Sequence, residues 1–277
     1  MQKQQTLKEA FTLQGKGLHT GLEITATFCP AEANTGYNIQ RVDLEGQPII
    51  EAIADNVAAT NRGTVVKKGE ITVSTIEHAM AALYCAGIDN CLIQVNAPEI
   101  PILDGSAQPF VEAIAKAGIV EQDAKREVFR IQKKYEVVDE ESGVKLEVFP
   151  DDHFSVTTFV DYPSHVLNNQ YAVLNNVADF NEQVAAARTF VFVREIQPLL
   201  AANLIKGGDL DNAMVIYDQA VPQEELNKLA EAIGTEAPSA EKLGYVQKRP
   251  LQWDNEPARH KLLDVIGDLA HIGKFIE

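Results

Sequence analysis

Arg259-His260-Lys261-Leu262-Leu263-Asp264-Val265-Ile266-Gly267-Asp268, close to the C-terminal end, reads as one amphipathic helix. Leu262, Val265, Ile266 and Leu269 recur at the i, i+3, i+4, i+7 spacing of a core-facing stripe. At about 100° per residue, His260, Asp264 and Asp268 fall within roughly 80° of one another on the opposite side. One face anchors the helix and the other is free for chemistry. An imidazole and a carboxylate one turn apart are the pattern of a solvated polar face or a helical charge pair. Less often they are two ligands to a divalent metal, zinc being the usual choice and ferrous iron an alternative, and a metal would need a third donor from elsewhere.

That donor is sought upstream. Ser74-Thr75-Ile76-Glu77-His78 opens a second helix, expected to run to a terminating Gly87. Ser74 and Glu77 have the S-x-x-E spacing of a capping box, which would give Glu77 a structural task. Ile76, Ala79, Met80 and Leu83 form its apolar stripe, but Ala81, Ala82 and Cys85 fill the far side, so the helix is expected to be buried nearly all round. A histidine inside such a helix must find a partner, and the positive helix end disfavours imidazolium there. His78, His260 and Asp264 together supply three ligands and leave a fourth tetrahedral position for water. Glu77, next to His78, is a carboxylate placed to take a proton from that water, which is the equipment of metal-assisted amide or ester hydrolysis. No HExxH sequence occurs.

Around these two helices the chain reads as an α+β protein. Strands are expected over 6–13 and 22–28, joined by Gly15-Lys16-Gly17-Leu18-His19-Thr20-Gly21, a hairpin connection without the residue order of a phosphate loop. A strand at 91–95, a rigid loop Asn96-Ala97-Pro98-Glu99-Ile100-Pro101 and a helix over 106–117 stopped by Gly118 follow. The polar stretch 121–126 marks a boundary between two units, 1–126 and 127–277. The second unit restarts with strands at 128–138, 144–149 and 153–162, then a helix capped by Asp179 running to about Ala187, a flexible Gly207-Gly208 turn and a strand over 213–217. A polar stretch, 219–257, leads into the C-terminal helix, with Asn255 as cap and Pro257 in the first turn. Each half thus runs from antiparallel strands to a late helix carrying a candidate ligand.

Composition narrows the function. The 277 residues carry 24 Lys plus Arg against 40 Asp plus Glu, a formal charge of −16, which argues against nucleic acid or an anionic membrane surface as the main partner. An anionic substrate would need cations gathered locally, and Lys261 is the first candidate. Cys29, Cys85 and Cys91 form no CxxC pair and suit a reducing cytoplasm. No leader-like apolar segment and no membrane-spanning run of about 18 apolar residues is found.

Five motifs, taken together, closely resemble the UDP-3-O-acyl-N-acetylglucosamine deacetylases, zinc enzymes of bacterial lipid A synthesis. They are Gly17-Leu18-His19-Thr20-Gly21, STIEHAMAAL from Ser74, NAPEIPILDGSA from Asn96, ARTF from Ala187 and HKLLDVIGDL from His260. The resemblance implies two similar two-layer α+β units with mainly antiparallel sheets and the site between them. It implies Zn2+ on His78, His260 and Asp264, with Glu77 as the base. Thr189 would stabilise the oxyanion, Lys261 would line the pocket near the sugar or its diphosphate, and Asp268 would orient the family's catalytic histidine. Phe190, with Val191-Phe192-Val193 after it, would border the fatty-acyl passage, and His19 would contact substrate. The reaction implied is release of acetate from UDP-3-O-acyl-N-acetylglucosamine. The family's general-acid histidine lies downstream of the C-terminal helix, so the unit 127–277 is expected to be incomplete, and some members are fused to a 3-hydroxyacyl-ACP dehydratase domain. Asn61-Arg62-Gly63-Thr64 matches the family only loosely and receives no role. The competing readings are a zinc- and nucleotide-sugar-binding fragment impaired in catalysis, and a metal hydrolase of another N-acyl substrate. Glu77 beside an open metal position favours an enzyme, because binding alone requires no base.

Overall fold

Five strands, in the order Phe11–Lys16, Glu23–Pro30, Cys91–Val95, Tyr37–Arg41 and Ile49–Glu51, form the largest sheet. All pairs are antiparallel except Tyr37–Arg41 with Cys91–Val95. In Glu23–Pro30 the period-two pattern buries Ile24, Ala26 and Phe28 on one face. Phe28 stacks on Phe11 at 4.8 Å and meets the edge of Phe110 at 5.8 Å, which fastens helix α2 (Gln108–Ala117) to the sheet. The computed structural model describes residues 2–232 and 235–277. It is an α+β protein with mostly antiparallel sheets, as the sequence suggests.

The expected strand over 6–13 divides in two. Lys3–Leu7 leaves to pair with Ile119–Lys125, whereas Phe11–Lys16 forms the hairpin with Glu23–Pro30. The polar stretch 121–126 is therefore mostly strand, its polar side chains suiting a two-stranded ladder with a wet face. The main apolar cluster draws on both sides of it, joining Leu7, Phe28 and Met80 to Val160, Leu174, Phe180, Leu262 and Ile266.

Helix α1 (Glu77–Cys85) is buried from Glu77 through Tyr84 and ends at Gly87, where Gly87 N–H reaches Tyr84 O at 3.0 Å and Ile88 N–H reaches Leu83 O at 3.1 Å. The expected capping box does not form. Thr75 sits in the left-handed region at φ 58°, so Ile76 occupies the cap position, and the Ser74 hydroxyl donates to Pro98 O instead. Glu77 is left free for another task.

In the second half, strands Val156–Val160 and Gln170–Leu174 pair antiparallel, and Tyr135–Val138 pairs with Lys145–Val148 in a separate hairpin. The expected strand 128–138 is broken into Val128–Phe129 and Tyr135–Val138. Asp179 occupies the cap position of α3 (Phe180–Gln183) without a side-chain capping bond, Asn176 caps the turn before it by accepting Ala178 N–H, and the helix is shorter than expected. Phe190–Phe192 runs parallel to Met214–Tyr217, which pairs antiparallel with Gly244–Val246. Helix α4 (Val193–Ala201) follows the first of these strands. The polar stretch 219–257 contains helix α5 (Gln223–Ala232), of which only Leu226 and Ala230 are buried. Gly207 marks a close approach as well as a turn: a Cβ there would lie 2.2 Å from Gly17 O.

The C-terminal helix, α6 (Glu256–Leu269), packs on α1 and on Val156–Val160 and Gln170–Leu174. Leu262, Leu263 and Ile266 are fully buried while Val265 and Leu269 are half-buried, so the stripe is rotated slightly from the expected one. Asn255 occupies the cap position of the helix, as the sequence suggests, but makes no side-chain capping bond there; its side chain accepts from Arg259 and donates to Tyr171 O. Arg188 and the fully buried Glu256 form a two-pronged ion pair, at 2.8 and 3.1 Å, that fixes the segment before Thr189 against the start of α6. No helix among the described residues is long and apolar enough to cross a membrane.

Candidate metal centre

Where α1 and α6 cross, Gly267 lies directly on the α1 backbone: a Cβ there would sit 2.1 Å from Glu77 O. Only a residue without a side chain allows this separation, and it brings the polar sides of the two helices together. His78, His260 and Asp264 offer ligand atoms that all lie within 4.8 Å of one another. His260 Nε2 is 3.4 Å and His78 Nε2 3.8 Å from the same oxygen, Asp264 Oδ1. The two imidazole rings stand perpendicular with centroids 5.0 Å apart.

His260 Nδ1 is 3.0 Å from Ala187 O. A ring nitrogen facing a carbonyl carries the proton, so Nε2 keeps its lone pair and faces the centre. The Arg188–Glu256 pair, one residue further on, holds that carbonyl in place. Burial, with the neighbouring His260 ring adding, pushes His78 down to about 3, and burial lowers His260 as well. Both rings are therefore neutral ligands at neutral pH. Burial alone would raise Asp264, but the opposing charges around it win and bring it to about 2. With both imidazoles neutral, the standing cation is Lys261, whose Nζ lies 2.9 Å from Asp264 Oδ2. That carboxylate in turn holds the Lys261 ammonium above its usual range.

Asp264 Oδ1 is buried and accepts no hydrogen bond. An orphaned buried anionic oxygen costs on the order of 1–3 kcal/mol or more, and two imidazole lone pairs beside it cannot relieve that cost. A divalent cation can, and two nitrogens with one carboxylate oxygen suit it. The residues fit a metal.

Glu77 is buried on the next position of α1, and burial, with the charge of Asp264 adding, pushes it up to about 8. Its Oε2 accepts Thr64 N–H at 3.0 Å, and Thr64 Oγ1 donates to Asp268 Oδ1 at 2.5 Å. Thr64, in a segment that matches the family only loosely and receives no role from its sequence, thus touches two of the expected site residues. His271 is oriented by the Asp268 backbone, its Nδ1 being 3.1 Å from that carbonyl oxygen, and the Asp268 carboxylate goes to Thr64.

The remaining expected residues lie around this core. Phe190 is 6.4 Å from the His260 ring by centroids, and Lys261 Nζ sits 5.5 Å over the Phe190 ring. The Thr189 backbone is fixed on both sides, donating to Gly105 O and accepting from Met214 N–H, each at 2.8 Å. His19 is further out. Its Nε2 donates to Arg62 O at 3.0 Å, and the ring borders a mainly apolar cavity of about 540 Å³ with Thr20, Leu22, Val65 and Lys206. The His19–Thr20 turn is organised by Glu99, a fully buried carboxylate that accepts both backbone N–H groups and the Thr20 and Thr75 hydroxyls. In the sequence Glu99 stands in a rigid loop and in the motif NAPEIPILDGSA without a role of its own; its signal is an acidic residue inside an otherwise apolar, proline-bracketed stretch.

The model of the family described as UDP-3-O-acyl N-acetylglycosamine deacetylase (LpxC) matches residues 4–234 and 235–277. The chain belongs to this family. A bifunctional enzyme LpxC/FabZ of Porphyromonas gingivalis is 63% identical over 276 residues, covering 100% of this chain and 60% of that protein. A protein of the same description from Bacteroides thetaiotaomicron is 58% identical over 277 residues, with 60% of its length covered. A UDP-3-O-acyl-N-acetylglucosamine deacetylase of Geobacter sp. is 39% identical over 271 residues, 98% of this chain and 80% of that protein. The chain therefore spans about 60% of the length of the bifunctional deacetylase relatives that it matches.

Proposed function

We propose that this chain carries the centre that hydrolyses the N-acetyl group of UDP-3-O-acyl-N-acetylglucosamine, releasing acetate in lipid A biosynthesis, with Zn2+ on His78, His260 and Asp264. The observation that carries the reading is the buried, unpartnered Asp264 Oδ1 facing two neutral imidazoles beside the buried Glu77 carboxylate. Family membership supplies the substrate. A divalent ion held by His78, His260 and Asp264 would supply Lewis-acid polarisation to this site.

Glu77 is the general base: its carboxylate is buried one position before His78 and held by the Thr64 N–H, placed to take a proton from water at the site. Thr189, on a backbone fixed by Gly105 and Met214, donates its hydroxyl to the carbonyl oxygen as that oxygen gains charge. Lys261 sits at the edge of the centre between Asp264 and Phe190 and meets the sugar or its diphosphate. Phe190 and the segment 191–193 border the acyl chain, and His19 contacts substrate from the side of the Arg62 loop. Asp268 orients the histidine that returns a proton to the leaving amine. The units 1–126 and 127–277 are the domains that frame the site, and the protein works in the cytoplasm. A dehydratase unit fused to the deacetylase part, as in some members of the family, accounts for the 60% of the bifunctional LpxC/FabZ relatives that this chain covers.

The test is acetate release from UDP-3-O-acyl-N-acetylglucosamine by the zinc-loaded whole protein, with short-acyl analogues as controls. Turnover that needs the metal and Glu77 supports the reading. A metal-loaded protein that binds the nucleotide sugar but releases no acetate would establish the binding-module alternative.

A further inference from the structure

We propose that Thr64 is a positioning residue that ties Glu77 and Asp268 into one arrangement across the α1–α6 seam. The inference rests on the reading of Glu77 as base. Thr64 is buried, and its two polar groups point to different carboxylates: the backbone N–H to Glu77 Oε2 at 3.0 Å, the hydroxyl to Asp268 Oδ1 at 2.5 Å. One residue from the first half of the chain thus sets the spacing between a carboxylate on α1 and another on α6.

The segment around it is held firmly enough to do this. Arg62, in the left-handed region at φ 62°, clasps Glu195 with two guanidinium nitrogens at 2.8 and 3.0 Å, and Glu195 also accepts Phe192 N–H at 3.3 Å. The Arg62 carbonyl accepts from His19 at 3.0 Å. At Gly63, with φ 151°, a Cβ would lie 3.3 Å from Glu77 Oε1, so the chain passes directly over that carboxylate. Three consecutive residues, 62–64, therefore connect the His19 turn, the start of α4, Glu77 and Asp268. A bond donated to the charged form of Glu77 offsets part of its burial cost, and the bond from the Thr64 hydroxyl fixes the rotamer of Asp268.

Thr64→Val removes the hydroxyl at nearly constant shape and leaves the backbone bond to Glu77. In the whole zinc-loaded protein it should lower kcat about 10–100-fold, the usual cost of losing a group that orients a ligand or catalytic side chain, with KM and metal content unchanged. Thr64→Ser, which keeps the hydroxyl, should restore turnover. Thr64→Val combined with Asp268→Ala should lose no more kcat than the worse single variant, because both cut the same tie. The melting temperatures of the same four proteins should be non-additive in the same way. Parental kcat in Thr64→Val, equal loss in Val and Ser variants, or additive losses in the pair would each overturn the proposal. If the parent itself releases no acetate, the deacetylase reading fails, and additivity in the melts alone decides whether the tie exists.

Discussion

The seam between α1 and α6 and the hairpin Tyr135–Val138 with Lys145–Val148 are both rich in charged groups, yet they treat charge in opposite ways. In the hairpin, Lys134 and Lys145 share Glu136 and Glu147 in exposed ion pairs, 2.7 Å for Lys134 to Glu136 and 3.2 Å for Lys145 to Glu147, while Val137 and Val144 face outward. Every charge there keeps its water. In the seam, Glu77, His78 and His260 are withdrawn from solvent and burial displaces their protonation, while the half-buried Asp264 is held ionised by the charges around it and one of its oxygens has no partner among the described residues. Charge concentrated where it is costly marks the site; abundant charge where it is cheap marks a surface.

Substitutions sharpen this contrast. Glu77→Gln in the whole metal-loaded protein should reduce acetate release by about 10²–10⁴-fold with metal retained, as expected for loss of a general base. In the metal-free protein the same substitution should remove a pH dependence. The folded-state value of Glu77 is about 8 against an ordinary 4.5, so this group makes stability fall as pH rises, whereas the buried imidazoles, with His78 held down to about 3 against 6.5, give the opposite slope until about 6.5; the decline should therefore emerge from about pH 6.5 through 8. Denaturant melts across that window should show the decline in the parent and none in Glu77→Gln.

Glu256→Ala, which strands the buried Arg188 guanidinium, should cost about 3–5 kcal/mol in denaturant unfolding. Gly267→Ala should cost less, about 1–3 kcal/mol, because the helices must part to admit the new methyl group, and the shift of Glu77 should lower turnover as well. Lys145→Ala, in the hairpin, should leave the melting temperature unchanged within error, since its partners are exposed and shared with Lys134. A large loss there would show that the hairpin's charges matter as much as the seam's and would break the comparison.

How much of this was legible depends on whether the deciding contact is local. The stripe through Leu262 and Ile266 and the polar row His260, Asp264, Asp268 follow from helical period alone, so the centre's C-terminal half was readable. His78 was readable because α1 is apolar all round, which made a histidine in it conspicuous. The capping box at Ser74 and Glu77 had the right spacing but failed because Thr75 takes a left-handed turn that no pattern announces. Helix α5 was lost within a polar stretch because only Leu226 and Ala230 of its residues are buried. Thr64 could not be found from sequence: its bond to Asp268 spans 204 positions, and its bond to Glu77 uses a backbone N–H that every residue but proline owns. Gly267 sat inside the very motif that defined the helix, yet its role is set by the backbone of another helix.

Metal stoichiometry of the parent and of Asp264→Ala, measured by elemental analysis on protein shown to be folded by circular dichroism, tests the central claim most directly. The account predicts close to one zinc per parent chain and a sharp loss in Asp264→Ala, because its Oδ1 is the oxygen both imidazoles face. Stoichiometric metal in folded Asp264→Ala would contradict it.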